Sequence, residues 1–218
     1  MSKNFAVIGL GRFGTSVARA LCDYGHEVLA VDISPSRVEL IKDDVTHAVE
    51  ADTTDERALA QLGIRNYDCV VVSVGVDIRA SILTTVLCKE QGAKYIVAKA
   101  SDPLHAKLLI KTGADKVILP EHESALRLAR TLVSTDILDY LELSDEYSVT
   151  ETRIPTGWVG KSLVELNVRR EYGASVIAIQ RAGSVLVTFD PAAPLEAGDV
   201  LVIIGANSDL DRIAGLKS

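Results

Sequence analysis

Gly9, Gly11 and Gly14 stand at G-x-G-x-x-G spacing in the run Phe5-Ala-Val-Ile-Gly-Leu-Gly-Arg-Phe-Gly14, and Asp32 closes the next apolar run, Glu27-Val-Leu-Ala-Val-Asp32. These residue types do the chemistry of phosphate and ribose recognition. The first glycine permits a tight turn, the second lets backbone N–H groups approach a phosphate, and the third lets a helix pack closely on a strand, with the helix N-terminus attracting the anion. Leu10, Arg12 and Phe13 are carried in the same loop, and Ile33 adjoins the carboxylate. Asp32 falls where a carboxylate accepts hydrogen bonds from both ribose hydroxyls and repels a 2′-phosphate, which disfavours NADP. The plainer alternatives are turn glycines that only need positive φ, and a strand-end carboxylate before Ser34-Pro35.

Arg12 opens the helix after the loop, where a cation opposes the positive end of the dipole and so calls for an anionic partner. A charge-assisted hydrogen bond to a terminal phosphate is worth about 1.5–3 kcal/mol, enough to separate a triphosphate from a diphosphate if only the longer one reaches it. A solvated surface arginine, or one that serves a neighbouring subunit's nucleotide, remains the alternative.

The elements that must position these residues alternate regularly. Phe5–Ile8, Val28–Val31, His47–Glu50, Cys69–Val74, Tyr95–Ala98 and Lys116–Leu119 are short apolar runs separated by helical periodicity. Six strands with helical crossovers predict a doubly wound parallel, Rossmann-like α/β sheet. After Pro120, apolar residues recur at Ala125, Leu128, Ala129, Leu132 and Val133 and again at Ile137, Leu138 and Leu141, which predicts one long helix from Glu121 to about Tyr140. Such a helix packs on its own sheet or reaches a second subunit. Beyond Ser144 the texture turns to short alternating runs at Ser148–Ile154, Ala174–Arg181, Val185–Phe189 and Val200–Gly205, with a hairpin turn at Ala182-Gly183-Ser184 and a last helix at Ser208–Leu216. The expectation is a nucleotide-binding domain over 1–142 and a smaller, β-rich α+β domain over 143–218.

With 218 residues, 48% of them hydrophobic, the chain can bury a core in each of two domains. The net charge of −7 is spread as −4 over residues 1–143 and −3 over 144–218, without a basic run, which argues against nucleic acid as a partner. Cys22, Cys69 and Cys88 lack metal-ligand spacing and read as small apolar residues in a reducing compartment. The four histidines are scattered. With neither a signal-type apolar segment at the start nor an apolar run near the ~18 residues that span a bilayer, a cytoplasmic location is expected.

Several motifs in order carry a resemblance: Phe5–Gly14, His26–Ile33, Ala80-Ser-Ile-Leu-Thr-Thr85, Thr112-Gly-Ala-Asp115, Leu119-Pro-Glu121, Leu143-Ser-Asp-Glu-Tyr-Ser148 and Asp199–Gly205. Over nearly its whole length the chain resembles the cytosolic regulatory subunits of bacterial Ktr/Trk-type potassium transporters, the RCK (regulator of potassium conductance) family, and within it the Ktr gating subunit. The resemblance implies a homodimer assembled into a higher ring, expected to be an octamer, at the inner face of the membrane beneath a potassium-translocating subunit. ATP then favours the active state and ADP the resting one, and no enzymatic step is needed.

Carried onto this chain, the family's nucleotide site adds Asp52 and Thr53 at the adenosine end, Val74 and Gly75 beside the base or ribose, Lys99 near the phosphates or a partner chain, and Glu121 as a ligand for Mg²⁺ or Ca²⁺ at the dimer interface. Asp52 as the N-cap of a following helix, Lys99 as a surface lysine and Glu121 as a dipole-complementing first-turn residue are the rival readings. Val164, Asn167, Arg169, Tyr172, Ala174 and Pro194 resemble the surface that holds cyclic di-AMP in some relatives, though this segment also makes sense as a capped helix and dimer-forming core. The competing function is an NAD(H)-dependent oxidoreductase or an NADH-sensing regulator, which the first domain would serve equally well. The remaining chain offers no evident general acid, winged helix or basic face.

Overall fold

A computed structural model describes residues 2–75, 77–133, 137–144 and 146–216, with the side chains of 130, 131, 133 and 137–140 excepted. The chain divides into two compact units, 2–122 and 123–216.

In the first unit, β1 (Asn4–Ile8), β2 (Glu27–Asp32), β3 (His47–Glu50), β4 (Cys69–Val72), β5 (Ile96–Lys99) and β6 (Lys116–Ile118) form one sheet in the order β3-β2-β1-β4-β5-β6. Every pairing is parallel. The crossovers are α1 (Arg12–Asp23), α2 (Pro35–Ile41), α3 (Glu56–Gln61), α4 (Ile78–Glu90) and α5 (Pro103–Lys111). Because successive strand residues point to opposite faces, the continuous apolar strands feed two cores. Ala6, Ile8, Val31, Val72 and Ile96 pack with Leu59 and Leu109 on one face, while Val7, Val28, Ala30 and Val71 pack with Ala18 and Ile41 on the other. The strand order reverses at β1, between β2 and β4. The loops leaving the carboxyl ends of β1 and β4 therefore part to opposite faces and open a crevice.

The six expected strands all form, with β4 stopping at Val72 rather than Val74. The expected long helix does not reach Tyr140. Instead α6 covers Pro120–Val133, and the chain resumes as β7 (Ile137–Glu142). Residues 134–136 of that expected helix lie outside the described residues.

In the second unit β7 joins β8 (Tyr147–Arg153), β9 (Ser175–Arg181), β10 (Ser184–Leu186) and β11 (Val200–Ala206) in an antiparallel sheet ordered β10-β9-β11-β8-β7. The hairpin between β9 and β10 turns through Ala182 and Gly183 at φ 50° and 80°, and β10 ends at Leu186, short of the expected Phe189. Two short helices, α7 (Leu163–Leu166) and α8 (Val168–Tyr172), and α9 (Asn207–Ala214) complete the unit. Its core gathers Trp158, Leu195, Leu201, Ile203, Leu210 and Ile213.

Candidate functional site

The glycine loop connects β1 to α1, and its three glycines meet different surroundings. Gly9 turns the chain at φ +92°, and a Cβ there would lie 3.0 Å from the Ser73 carbonyl carbon and the Val74 amide nitrogen. At Gly14 a Cβ would lie 1.9 Å from the Gly9 carbonyl oxygen and 2.4 Å from Ser73 Oγ, so the helix lies directly against the strand end. Gly11, the N-cap residue of α1, has nothing within 4 Å of the corresponding position. Two glycines are thus demanded by the protein's own packing, and the third leaves open space in front of the helix N-terminus.

Asp32 ends β2 and is 5% exposed. Its Oδ2 accepts from the Leu10 N–H at 2.6 Å and from Arg37 Nη1 at 3.3 Å, and its Oδ1 accepts from the Ser34 N–H at 2.8 Å. The carboxylate is therefore built into the glycine loop, with one free acceptor direction on Oδ1. Ser73 Oγ donates to the Gly9 carbonyl and fixes the loop from the β4 side.

A cleft of about 190 Å³ lies over these strand ends. Gly9, Gly11, Asp32, Ile33, Asp52, Thr53, Val74 and Gly75, all expected from the sequence, line it. Asp52 is not the N-cap of α3. That place belongs to Asp55, whose carboxylate accepts from the Arg57 and Ala58 N–H groups. Asp52 Oδ1 accepts instead from the Thr54 hydroxyl at 2.6 Å and the Thr54 N–H at 2.9 Å, which hold its carboxyl below the ordinary range. Thr53 Oγ1 turns inward to Thr84 Oγ1 at 2.9 Å. Arg37, Ala51, Thr54, Ser73 and Ala80 also line the cleft and were not assigned to the site from the sequence.

Leu10, Arg12, Phe13, Gly14, Lys99 and Glu121 are not lining residues of the cleft. Leu10 is buried and contributes its N–H to Asp32, while Arg12 is exposed at the first position of α1. Lys99 Nζ lies 2.6 Å from Glu121 Oε1 and 5.9 Å from the Phe13 ring centroid. The hydrogen bond from Lys99, reinforced by the Lys99 and Arg12 charges, keeps the Glu121 carboxyl below the ordinary value. Among the described residues no group of three His, Cys, Asp or Glu side chains is arranged to hold a metal ion. Glu121 alone therefore fits Mg²⁺ or Ca²⁺ only as one hard-oxygen ligand among others, such as phosphate oxygens.

In the second unit a cleft of about 400 Å³ is lined by four of the six residues expected there, Val164, Asn167, Arg169 and Ala174, together with Phe189 and Pro191. Tyr172 and Pro194 are not brought to it. Tyr172 packs on Trp158 at 5.2 Å between centroids and beneath Arg212, and Pro194 bridges to Ser162. Ser162 and Glu165 form a reciprocal capping box at the start of α7, so the capped-helix reading of this segment holds in its own right. Asn167 sits at φ 46° between α7 and α8.

All three cysteines are free, and burial pushes the Cys88 thiol up to about 12. No helix among the described residues is long and apolar enough to cross a membrane.

The site has clear relatives. A family model described as the TrkA-N domain matches residues 5–120, and one described as the TrkA-C domain matches residues 149–217. Ktr system potassium uptake protein C of Bacillus subtilis (strain 168) is 43% identical over 212 residues, 97% of this chain and 96% of the relative. Ktr system potassium uptake protein A of Vibrio alginolyticus is 37% identical over 208 residues, 95% and 94% of the two chains. Among solved structures, the GsuK RCK domain superposes with a TM-score of 0.70 at 20% identity, over 100% of this chain and 49% of that one, a likeness of fold. The chain belongs to the family of Ktr/Trk-type potassium-uptake regulatory subunits, with their TrkA-N and TrkA-C domains.

Proposed function

We propose that this protein is the cytosolic regulatory subunit of a bacterial potassium uptake system, and that it binds ATP or ADP over the glycine loop and gates a membrane potassium-translocating subunit. The observation that carries the reading is Gly11, the one loop glycine whose missing side chain serves no contact of the protein itself and whose open space faces the N-terminus of α1. Phosphates would lie there, against the N–H groups that no preceding turn satisfies. A ribose hydroxyl would donate to Asp32 Oδ1, and the base would lie toward Ile33, Asp52, Val74 and Gly75.

Arg12 and Glu121 act at the terminal phosphate. Arg12 supplies the charge that tells a triphosphate from a diphosphate, and Glu121 supplies an oxygen for Mg²⁺ or Ca²⁺, which when bound would offset phosphate charge. In this reading the chain carries out no reaction. Nucleotide exchange moves a homodimer, and through it an octameric ring lying against the inner face of the membrane. The second domain over 143–218 takes cyclic di-AMP, with Asn167 and Arg169 toward its phosphates. The test is potassium flux through vesicles carrying the translocating subunit and this protein. ATP raising flux above the ADP level supports gating, and equal flux contradicts it.

A second reading, an NAD(H)-responsive regulator, draws on the same carboxylate, because an Asp32 without a 2′-phosphate partner suits NAD as well as ATP. NADH displacing ATP at comparable affinity would favour it.

A further inference from the structure

Lys99 is the last residue of β5 and Glu121 the second residue of α6, just beyond β6. The register that pairs Lys99 with Ile118 sets both at the same end of the sheet. Their ion pair is unequal, with the Lys99 side chain 15% exposed and Glu121 72% exposed. The same ammonium faces the glycine loop from the other side. It is 5.9 Å from the ring centroid of Phe13, in the first turn of α1, and a Cβ on Gly75 would come within 3.7 Å of it. The Lys99 ammonium stands between the Glu121 carboxylate and the place assigned to the phosphates.

We propose that Lys99 is a latch exchanged between Glu121 and the nucleotide's phosphate tail. Without nucleotide it pairs with Glu121; a tail seated on the N-terminus of α1 draws it away and leaves Glu121 without its ion-pair partner. The proposal rests on the nucleotide reading above. An ammonium is a compact point charge with three donors on a flexible stem, so it changes partner with small movements. The pair it leaves is mostly solvated on the carboxylate side and only weakly held. The released carboxylate is then a hard-oxygen ligand that favours a divalent cation. Lys99 thus acts as a positioning residue that makes nucleotide and cation help each other, and the help is reciprocal. In cation-free solution, Glu121 opposes nucleotide binding by holding Lys99 back.

The test is calorimetric titration with ATP in EDTA. Glu121→Gln is expected to bind ATP roughly two- to five-fold more tightly than wild type, the range of a half-exposed ion pair. In a Lys99→Met background the same change is expected to give no gain, and Lys99→Arg is expected to restore it. In excess Ca²⁺ the order reverses, because Glu121→Gln forgoes the cation's contribution. An equal gain with and without Lys99 would reduce the effect to repulsion between Glu121 and phosphate and overturn the latch, as would no gain at all. Lys99→Gln gives the same comparison should Lys99→Met fold poorly. Wild-type protein that bound neither ATP nor ADP would instead overturn the nucleotide reading; wild type that binds, without the Glu121→Gln gain, overturns only the latch.

Discussion

The Leu10 N–H donates to Asp32 Oδ2 at 2.6 Å, so the carboxylate assigned to the ribose also ties the glycine loop to β2. Asp32→Ala then removes a ligand and a loop anchor together. The expected outcome is at least ten-fold weaker ATP and ADP binding with a lowered melting temperature, because a buried N–H loses its partner at about 1–3 kcal/mol. Asp32→Asn keeps an acceptor for Leu10 and is expected to lose affinity with less loss of stability. Calorimetry and thermal melts of the two variants separate the roles.

Gly11→Ala and Gly14→Ala differ in kind. The Gly14 methyl would meet the Gly9 carbonyl at 1.9 Å, so that variant is expected to melt well below wild type, by overpacking worth about 1–3 kcal/mol. The Gly11 methyl meets no protein atom and is expected to leave the melt unchanged while cutting nucleotide affinity. Wild-type affinity in Gly11→Ala would mean that no phosphate approaches there.

Arg12 is exposed at the start of α1 and makes its contribution only when a third phosphate is present. Arg12→Ala is expected to weaken ATP binding by roughly ten-fold and ADP binding little, flattening their ratio. An unchanged ratio contradicts the role.

The second unit should show an acid-sensitive clasp. Arg181 Nε and Nη2 donate to the two oxygens of Asp199 at 2.8 and 2.7 Å, and the Glu196 N–H donates to Oδ2 at 2.8 Å. Burial of Asp199 works against ionisation, but these donors outweigh it and hold the carboxyl below its ordinary value. A depressed folded pKa stabilises the fold above the unfolded value of about 4, and the benefit fades as pH falls from there through the lower folded value. Asp199→Asn is expected to lower the melting temperature by several degrees at pH 7 and to flatten its decline below about pH 4. A parallel decline in both proteins would show that the pair contributes nothing.

At the second cleft, Arg169→Ala is expected to abolish measurable cyclic di-AMP binding without moving the melt, since its side chain is exposed, whereas Asn167→Ala is expected to lose binding and also melt lower, since alanine is strained at φ 46°. Full binding in Arg169→Ala would remove that cleft as its site.

Much of this was legible because parallel strands buried on both faces read as unbroken apolar runs, and because loop glycines and Asp32 sit at fixed offsets from them. The end of α6 was not. Ile137, Leu138 and Leu141 continue the spacing of Leu128 and Leu132, and only the backbone ladder that pairs Leu141 with Val149 and Glu142 with Ser148 makes them a strand. Asp52 was weighed as a cap because it precedes a helix, but Asp55 adjoins the helix and takes the amides. Ser73 and Arg37 were missed, although a small polar residue ending an apolar run and an arginine one helical turn past Asp32 were available signals. The Lys99–Glu121 pair depends on the register of β5 on β6 and is invisible to local patterning.

The central claim, an adenine nucleotide over the glycine loop that changes the assembly, is tested most directly by titrating nucleotide-free protein with ATP and ADP by calorimetry while following oligomer mass and shape. The account predicts saturable binding of both, tighter for ATP when Mg²⁺ or Ca²⁺ is present, with distinct ring states for the two. Absence of binding by either, or binding of NADH alone, would contradict it.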